Sequence, residues 1–331
     1  MIKKKLLVTG CNGFIGRNFL EIIDLEKYQV LNLDNLSYAS DSKAHLSFPN
    51  IKFIKCNTAN FKKINEIFLN YKPDIVINFA AHSHVDKSIS NSSLFIENII
   101  GTHNLLKCST QILKIKKIKF LQISTDEVFG STSSGNFTNK SPYNPSSPYS
   151  ASKASSDHLV QAFNKTYNLP TIITYSCNNY GPFQSPEKLI PLTIFKLINK
   201  KKMGIYGKGK QIRQWIHVKD NVKAIIKLLD QNFDGNSYCI GSKYEINNLN
   251  LVKKIIDIFF DLNRAKFNSY HDHLEFIKDR KGHDFRYFLD PNEIKKKINW
   301  KQEYSLNNGL RQTILWYLKN IKWINTQIKK L

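Results

Sequence analysis

Ser124-Thr125-Asp126-Glu127 closes an apolar segment running from Ile118 to Ile123, so one hydroxyl and two adjacent carboxylates stand at the end of a predicted strand. Further on, Tyr149 and Lys153 lie four apart in a predicted helix over 147–167 that follows Pro145 and Pro148. That spacing puts both side chains on one helix face. A lysine held beside a phenol favours the phenolate, which makes Tyr149 a base near neutral pH. Together these groups suit a reaction that removes a hydride, abstracts a proton and protonates a leaving group in turn. Adjacent carboxylates can take opposite proton transfers only where their surroundings separate their pKa values. The expectation is a protonated Asp126 beside an ionised Glu127.

Hydride removal needs an acceptor. Strand Leu6–Thr9 enters Gly10-Cys11-Asn12-Gly13-Phe14-Ile15-Gly16 and then a helix, a G-x-x-G-x-x-G variant of the dinucleotide fingerprint whose glycines bring backbone amides to a pyrophosphate. Asp34, eighteen positions past Gly16, closes the second predicted strand. A carboxylate there binds the adenosine ribose hydroxyls and repels a 2′-phosphate, which favours NAD over NADP.

The elements that position these groups alternate. Strands are predicted near 5–9, 29–33, 51–56, 74–79, 118–124 and 170–176, with helices near 14–25, 60–70, 92–112 and 147–167. That rhythm predicts an α/β fold, a Rossmann-type doubly wound parallel sheet. From Asn178 the pattern loosens through Pro182, Pro186 and Pro191 toward the loop Gly204–Gly209. We read residues 1–177 as the NAD-binding domain, rejoined by about 211–241 through a helix over 220–229 and a strand over 237–240. Residues 178–331 are read as a smaller C-terminal α/β lobe that binds substrate.

Composition narrows the class. With 331 residues, 41% hydrophobic and 23% charged, the chain can bury one large or two modest cores. Five irregularly spaced cysteines without a Cys-x-x-Cys point away from disulfides and thiolate zinc and toward a reducing cytoplasm. The first ten residues are too briefly apolar for a signal peptide, and no run reaches membrane-spanning length. The charge of +23 raises nucleic acid as a partner. The lysines are scattered in short clusters among Asn and Ile, however, which reads as compositional bias, so neither nucleic acid nor a membrane is expected. Six of the 49 basic residues are Arg, and Arg213 and Arg280 stand out as planar donors suited to a phosphate. His82-x-His84 and His271-x-His273 lack further ligands, so no metal is expected.

The motifs Ala80-Ala81-His82-Ser83-His84-Val85-Asp86, Ser124–Gly130, Ser147–Lys153, Asn178-Asn179-Tyr180-Gly181-Pro182 and Asp279-Arg280-Lys281-Gly282-His283-Asp284 occur in this order. The chain thereby resembles the extended short-chain dehydrogenase/reductases, and among them the dTDP-glucose 4,6-dehydratase family, over nearly its whole length. The resemblance implies a lyase with catalytic, retained NAD, acting in deoxysugar biosynthesis of the dTDP-rhamnose type. It implies that Tyr149 takes the proton from the hydroxyl on sugar carbon 4, tuned by Lys153, while Thr125 orients that hydroxyl. Glu127 removes the carbon 5 proton and Asp126 protonates the hydroxyl leaving carbon 6. Cofactor contacts are implied for Gly10, Asn12, Gly13, Phe14, Ile15, Gly16, Asp34, Asn35, Leu36, Asn57, Thr58, Phe79, Ala80, Ala81, Ser83, Tyr149, Lys153 and Asn179. The sugar nucleotide is implied to meet Ser83, Thr125, Asn178, Lys188, Leu189, Ile205, Tyr206, Arg213, Arg280, His283 and Tyr287, with the two arginines on the diphosphate. A homodimer through helices like 92–112 and 147–167 is implied as well.

Some positions depart from the family pattern. Asn57 and Asn60 replace carboxylates, Glu97 replaces a Thr near the cofactor, and Tyr244 aligns with an Asn that helps hold the nucleotide. Lys281 replaces a Pro and is expected to loosen its loop, whereas Phe129 for Tyr should be harmless. Thymine and uracil therefore both stay open as the base, as do a UDP-glucose 4,6-dehydratase and a sugar-nucleotide epimerase or decarboxylase. The acidic pair argues against the last two, because dehydration alone needs the acid that Asp126 supplies. An idle NAD-binding protein associated with RNA is the most distant alternative.

Overall fold

The computed structural model describes residues 2–280 and 282–331; Lys281, expected to loosen its loop, lies outside the described residues. Apolar runs without charge form strands buried on both faces, which is the signature of a parallel sheet covered by helices. Strands β1 (Lys4–Thr9), β2 (Tyr28–Asp34), β4 (Ile75–Asn78), β5 (Lys119–Thr125) and β6 (Thr171–Ser176) carry such runs, while β3 (Lys52–Lys55), at the sheet edge, is only partly buried. They alternate with α1 (Phe14–Leu20), α2 (Phe61–Tyr71), α3 (Val85–Ser90), α4 (Ile96–Leu113) and α5 (Pro148–Tyr167). Beyond β6 come β7 (Asn178–Tyr180), α6 (Leu189–Ile198), β8 (Met203–Tyr206), β9 (Ile212–His217), α7 (Val218–Leu228) and β10 (Ser237–Ile240). The chain then continues through β11 (Glu245–Asn247), α8 (Asn248–Leu262), β12 (Leu274–Ile277), α9 (Asn292–Ile298), α10 (Leu306–Lys319) and α11 (Ile321–Ile328).

Among the described residues the main sheet has seven strands in the order β10-β6-β5-β4-β1-β2-β3, and each neighbouring pair is parallel. The chain leaves β1 toward β3 and then returns to place β4 on the other side of β1. That reversal opens a crevice at the carboxyl ends of β1 and β4, where ligands of doubly wound sheets bind. Two smaller sheets, β11-β9-β7 and β12-β8, stand beyond it.

Two hydrophobic cores result. The first packs Leu6, Val8, Leu31, Val76, Phe120 and Ile172 of the main sheet against flanking helices, α7 included. The second joins Ile190 and Ile194 of α6, Ile255 of α8, and Ile314 and Tyr317 of α10.

Within residues 1–177 three elements differ from expectation. The helix predicted over 14–25 ends at Leu20, and the chain then forms turns in which the Asp24 carboxylate accepts the Glu26 amide at 2.8 Å. The helix predicted from 92 starts as a 3-10 turn, Ser92–Phe95, before α4. Helix α3 was not anticipated; the His84 ring caps it, accepting the Lys87 amide at 3.2 Å.

Candidate active site

The glycine loop grips the crevice closely. Gly10 has φ +74°, and a Cβ there would lie 2.7 Å from Cα and N of Ala80. A Cβ on Gly16 would lie 2.6 Å from Cα of Cys11. The loop therefore tolerates no side chain, and it brings bare backbone to the N-terminus of α1, a cradle that fits a dinucleotide pyrophosphate. Asp34, 4% exposed, ends β2 and accepts the amides of Asn12 at 3.0 Å and Leu36 at 2.8 Å and the Ser40 hydroxyl at 3.0 Å. Burial raises its pKa, and these donors oppose the rise.

The cleft over this loop, about 230 Å³, is lined by Gly10, Gly13, Phe14, Ile15, Gly16, Asp34, Asn35, Asn57, Thr58, Phe79, Ala80, Ala81, Ser83, Tyr149 and Lys153. Three residues assigned to the cofactor do not line it. The Asn12 side chain is turned inward onto Asn32 and the Asp41 carbonyl. Leu36 serves through its amide on Asp34. Asn179 donates to the Cys177 carbonyl at 2.9 Å and belongs to the neighbouring cavity.

That neighbouring cavity, about 580 Å³, holds the chemistry. Strand β5 delivers Thr125 into a 3-10 turn, Asp126–Phe129, where the Thr125 hydroxyl accepts the Glu127 amide at 3.3 Å and donates to Asp126 Oδ1 at 3.2 Å. Asp126 is 2% exposed, and its Oδ2 has no partner among the described residues. Burial first, and Glu127 second, push its pKa up to about 8. Glu127 is also raised by burial, but Lys188, Arg280 and Arg213 all pull it back. Burial raises both carboxyls; three cations oppose the rise at Glu127, whereas Arg213 is the one cation that opposes it at Asp126 among the described residues.

Helix α5 starts with a capping box between Ser147 and Ser150 and a proline in its first turn, which sets the position of Tyr149. Tyr149 is 8% exposed, and burial together with Glu127 and Asp126 raises its pKa well above the ordinary phenol value. The lysine-lowered phenol expected from the spacing is not what the structure contains. Lys153 donates its ammonium to the Ile123 carbonyl at 2.6 Å, and desolvation lowers its own pKa. Two buried carboxyls beside the phenol outweigh one lysine directed elsewhere. Sequence reasoning missed Asp157, one further turn along the same face, fully buried with a pKa near 7 and bonded to the Ser124 hydroxyl. The spacing 149, 153, 157 carried the signal.

All the residues assigned to the sugar nucleotide line the larger cavity: Ser83, Thr125, Asn178, Lys188, Leu189, Ile205, Tyr206, Arg213, Arg280, His283 and Tyr287. Lys188 donates to the Ser83 carbonyl at 2.9 Å and so ties the two cavities together. Glu187, also missed, lines both and stands 3.6 Å from the His84 ring. The two arginines differ. Arg280 lies 3.7 Å from Asp86, and its buried Nε has no partner among the described residues. Arg213 already donates to the carbonyls of Ile212 at 2.7 Å, Phe285 at 3.2 Å and Asp284 at 2.9 Å, and it stacks on Tyr287. Three of its five N–H groups hold the chain to itself while it lines the cavity. Tyr244 does not line the cavity. It packs on the second core while Asn248, at the start of α8, takes a place in the lining.

A doubly wound sheet with a glycine cradle, a Tyr-x-x-x-Lys helix and an acid–base carboxylate pair defines an extended short-chain dehydrogenase/reductase. The family model described as GDP-mannose 4,6 dehydratase matches residues 7–313. The dTDP-glucose 4,6-dehydratase of Haemophilus influenzae is 44% identical over 95% of this chain and 98% of its own. That of Salmonella typhimurium is 41% identical over 97% and 94%. The crystal structure of a dTDP-glucose 4,6-dehydratase from Streptomyces venezuelae with NAD and TYD bound superposes with a TM-score of 0.89 at 35% identity, covering 98% of this chain and 99% of that one. The chain belongs to the dTDP-glucose 4,6-dehydratase family.

Proposed function

We propose that this protein is an NAD-dependent dTDP-glucose 4,6-dehydratase. The observation that carries the reading is the buried Asp126, with a pKa near 8, beside a Glu127 faced by Lys188, Arg280 and Arg213. Dehydration needs that division of labour, whereas epimerisation at carbon 4 does not.

NAD, when bound, would supply the hydride chemistry, acceptance from carbon 4 and return to carbon 6, with Glu127 giving a proton back to carbon 5 at the return. The residues do the rest. Tyr149 would receive the carbon 4 hydroxyl proton as a phenolate, a form its burial beside Glu127 and Asp126 opposes until the cationic nicotinamide ring of bound NAD offsets them, and Thr125 holds that hydroxyl in line. The carbonyl formed at carbon 4 acidifies the proton on carbon 5, and Glu127 takes it. Asp126 gives its proton to the hydroxyl on carbon 6, which leaves as water. Asp157 and Ser124 fix the floor beneath Lys153. Gly10, Gly13 and Gly16 hold the pyrophosphate and Asp34 the ribose. Arg280, whose Nε has no partner among the described residues, is the group best placed for the substrate diphosphate, and Arg213 lines the cavity beside it.

The reading extends to organisation. The first core forms the NAD lobe, residues 1–177 rejoined through α7, β10 and the α9 segment with Leu289, Ile294, Ile298 and Trp300, and the second core forms the sugar-nucleotide lobe. Exposed Ile96 and Ile100 on α4 and Tyr167 on α5 support a homodimer through these helices, to be checked by light scattering. Among the described residues no helix is long and apolar enough to cross a membrane, and all five cysteines are buried and unpaired. These features are consistent with the reducing cytoplasm, which cell fractionation would test.

The decisive experiment incubates purified protein with dTDP-glucose and UDP-glucose separately, with no added reductant. A 4-keto-6-deoxy product from the thymidine nucleotide, formed without net NADH, is expected. Stoichiometric NADH, or epimer in place of that product, would overturn the proposal.

A further inference from the structure

On the side of the cleft away from the chemistry, Asn57 and Thr58 follow the end of β3, and the first turn of α4 brings Glu97 to the same wall. Asn57 Oδ1 accepts the Ala59 amide at 2.8 Å, which directs Nδ2 outward, and Nδ2 donates to Glu97 Oε2 at 3.1 Å. The His82 ring sets Nε2 3.4 Å from the same Oε2. His82 is itself held by Asn98, which accepts its amide at 2.8 Å and donates to its carbonyl at 3.1 Å. Both contacts on the carboxylate fall on one oxygen, so Oε1 remains an acceptor for a ligand. The side chain is 38% exposed, hence reachable.

The sheet order decides which part of a dinucleotide arrives there. Tyr149 and Thr125 gather on the β5 side of β1, whereas Asp34 ends β2 and Asn57 follows β3 on the other side. A dinucleotide with its reactive ring near Tyr149 and its far ribose on Asp34 carries its adenine past β2 to Asn57 and Glu97. The outer edge of adenine presents an exocyclic amine, a donor that a carboxylate oxygen accepts well.

We propose that Glu97 selects the adenine base of the cofactor, its Oε1 accepting the exocyclic amine while Asn57 and the His82 ring hold Oε2. The inference rests on the NAD reading of the cleft and adds a residue to it.

The test is a competition. The full chain is equilibrated with equal NAD and nicotinamide hypoxanthine dinucleotide, in which a carbonyl replaces the amine, and the bound ratio is read by mass spectrometry. The parent should hold NAD over the analogue by about tenfold or more, since the analogue sets one acceptor against another. Glu97→Thr and Glu97→Gln should each bring the ratio within about threefold of unity, a loss of most of that charge-assisted bond. Equal binding by the parent, or an unchanged preference in both variants, overturns the role of Glu97 and leaves the cleft reading standing. Failure of the parent to hold either nucleotide overturns the cleft reading together with this inference.

Discussion

Asp126→Asn separates the acid from everything else in the site. Asp126 is 2% exposed with a pKa near 8, so at pH 7 roughly nine molecules in ten carry the proton, against almost none for an ordinary aspartate. Asn keeps the shape of the side chain but has no proton to give. Carbon 4 oxidation and carbon 5 exchange should persist while water loss slows by about a hundredfold or more, the scale of a general acid, or about 2.7 kcal/mol of barrier. The same change should stabilise the fold. Because the folded pKa lies above the unfolded one, the folded protein binds more protons between about pH 4 and pH 8, and its stability falls as pH rises through that window. Asn removes this loss, with an upper bound on the order of 4 kcal/mol at pH 7. The assay follows deuterium at carbon 5 and product in heavy water, alongside melting curves at pH 5 and pH 8. Water loss at the parental rate, or a melting difference that does not grow with pH, would refute the assignment of Asp126 as a buried, protonated acid.

The two arginines should part company on conservative replacement. Arg280→Lys removes the planar fork and should weaken sugar-nucleotide binding about tenfold with NAD retention unchanged; normal binding by calorimetry would exclude a diphosphate role. Arg213→Lys gives up bonds to three backbone carbonyls and should lower stability by about 1–3 kcal/mol. A parental melting temperature with weakened binding would make Arg213 a direct ligand instead. Gly10→Ala forces a side chain at φ +74° and 2.7 Å from Ala80, so it should destabilise by about 1–3 kcal/mol and release NAD. Retained cofactor in the isolated variant would show that the loop yields.

Local chemistry carried much of the protein in its sequence. Period, glycine spacing and the run from Ser124 to Glu127 are properties of neighbouring residues, so the seven strands of the main sheet, the nucleotide loop and the grouping of the five catalytic candidates were legible there, whereas the five short strands of the smaller sheets were not. The cavity's lining was legible too, because Arg280, His283 and Tyr287 sit in a compact motif. What neighbouring residues do not encode is which groups face each other across the fold. The engagement of Arg213 by the carbonyls of Ile212, Asp284 and Phe285 depends on a segment some seventy residues away reaching β9. The meeting of Asn57 with Glu97 depends on β3 ending and α4 starting at one wall. The direction of the Tyr149 shift likewise follows from burial and two carboxyls, neither visible in a four-residue spacing. Desolvation and long-range contact are properties of the packed chain, and they decided which of the residues so arranged hold protons, which hold ligands and which hold the protein itself.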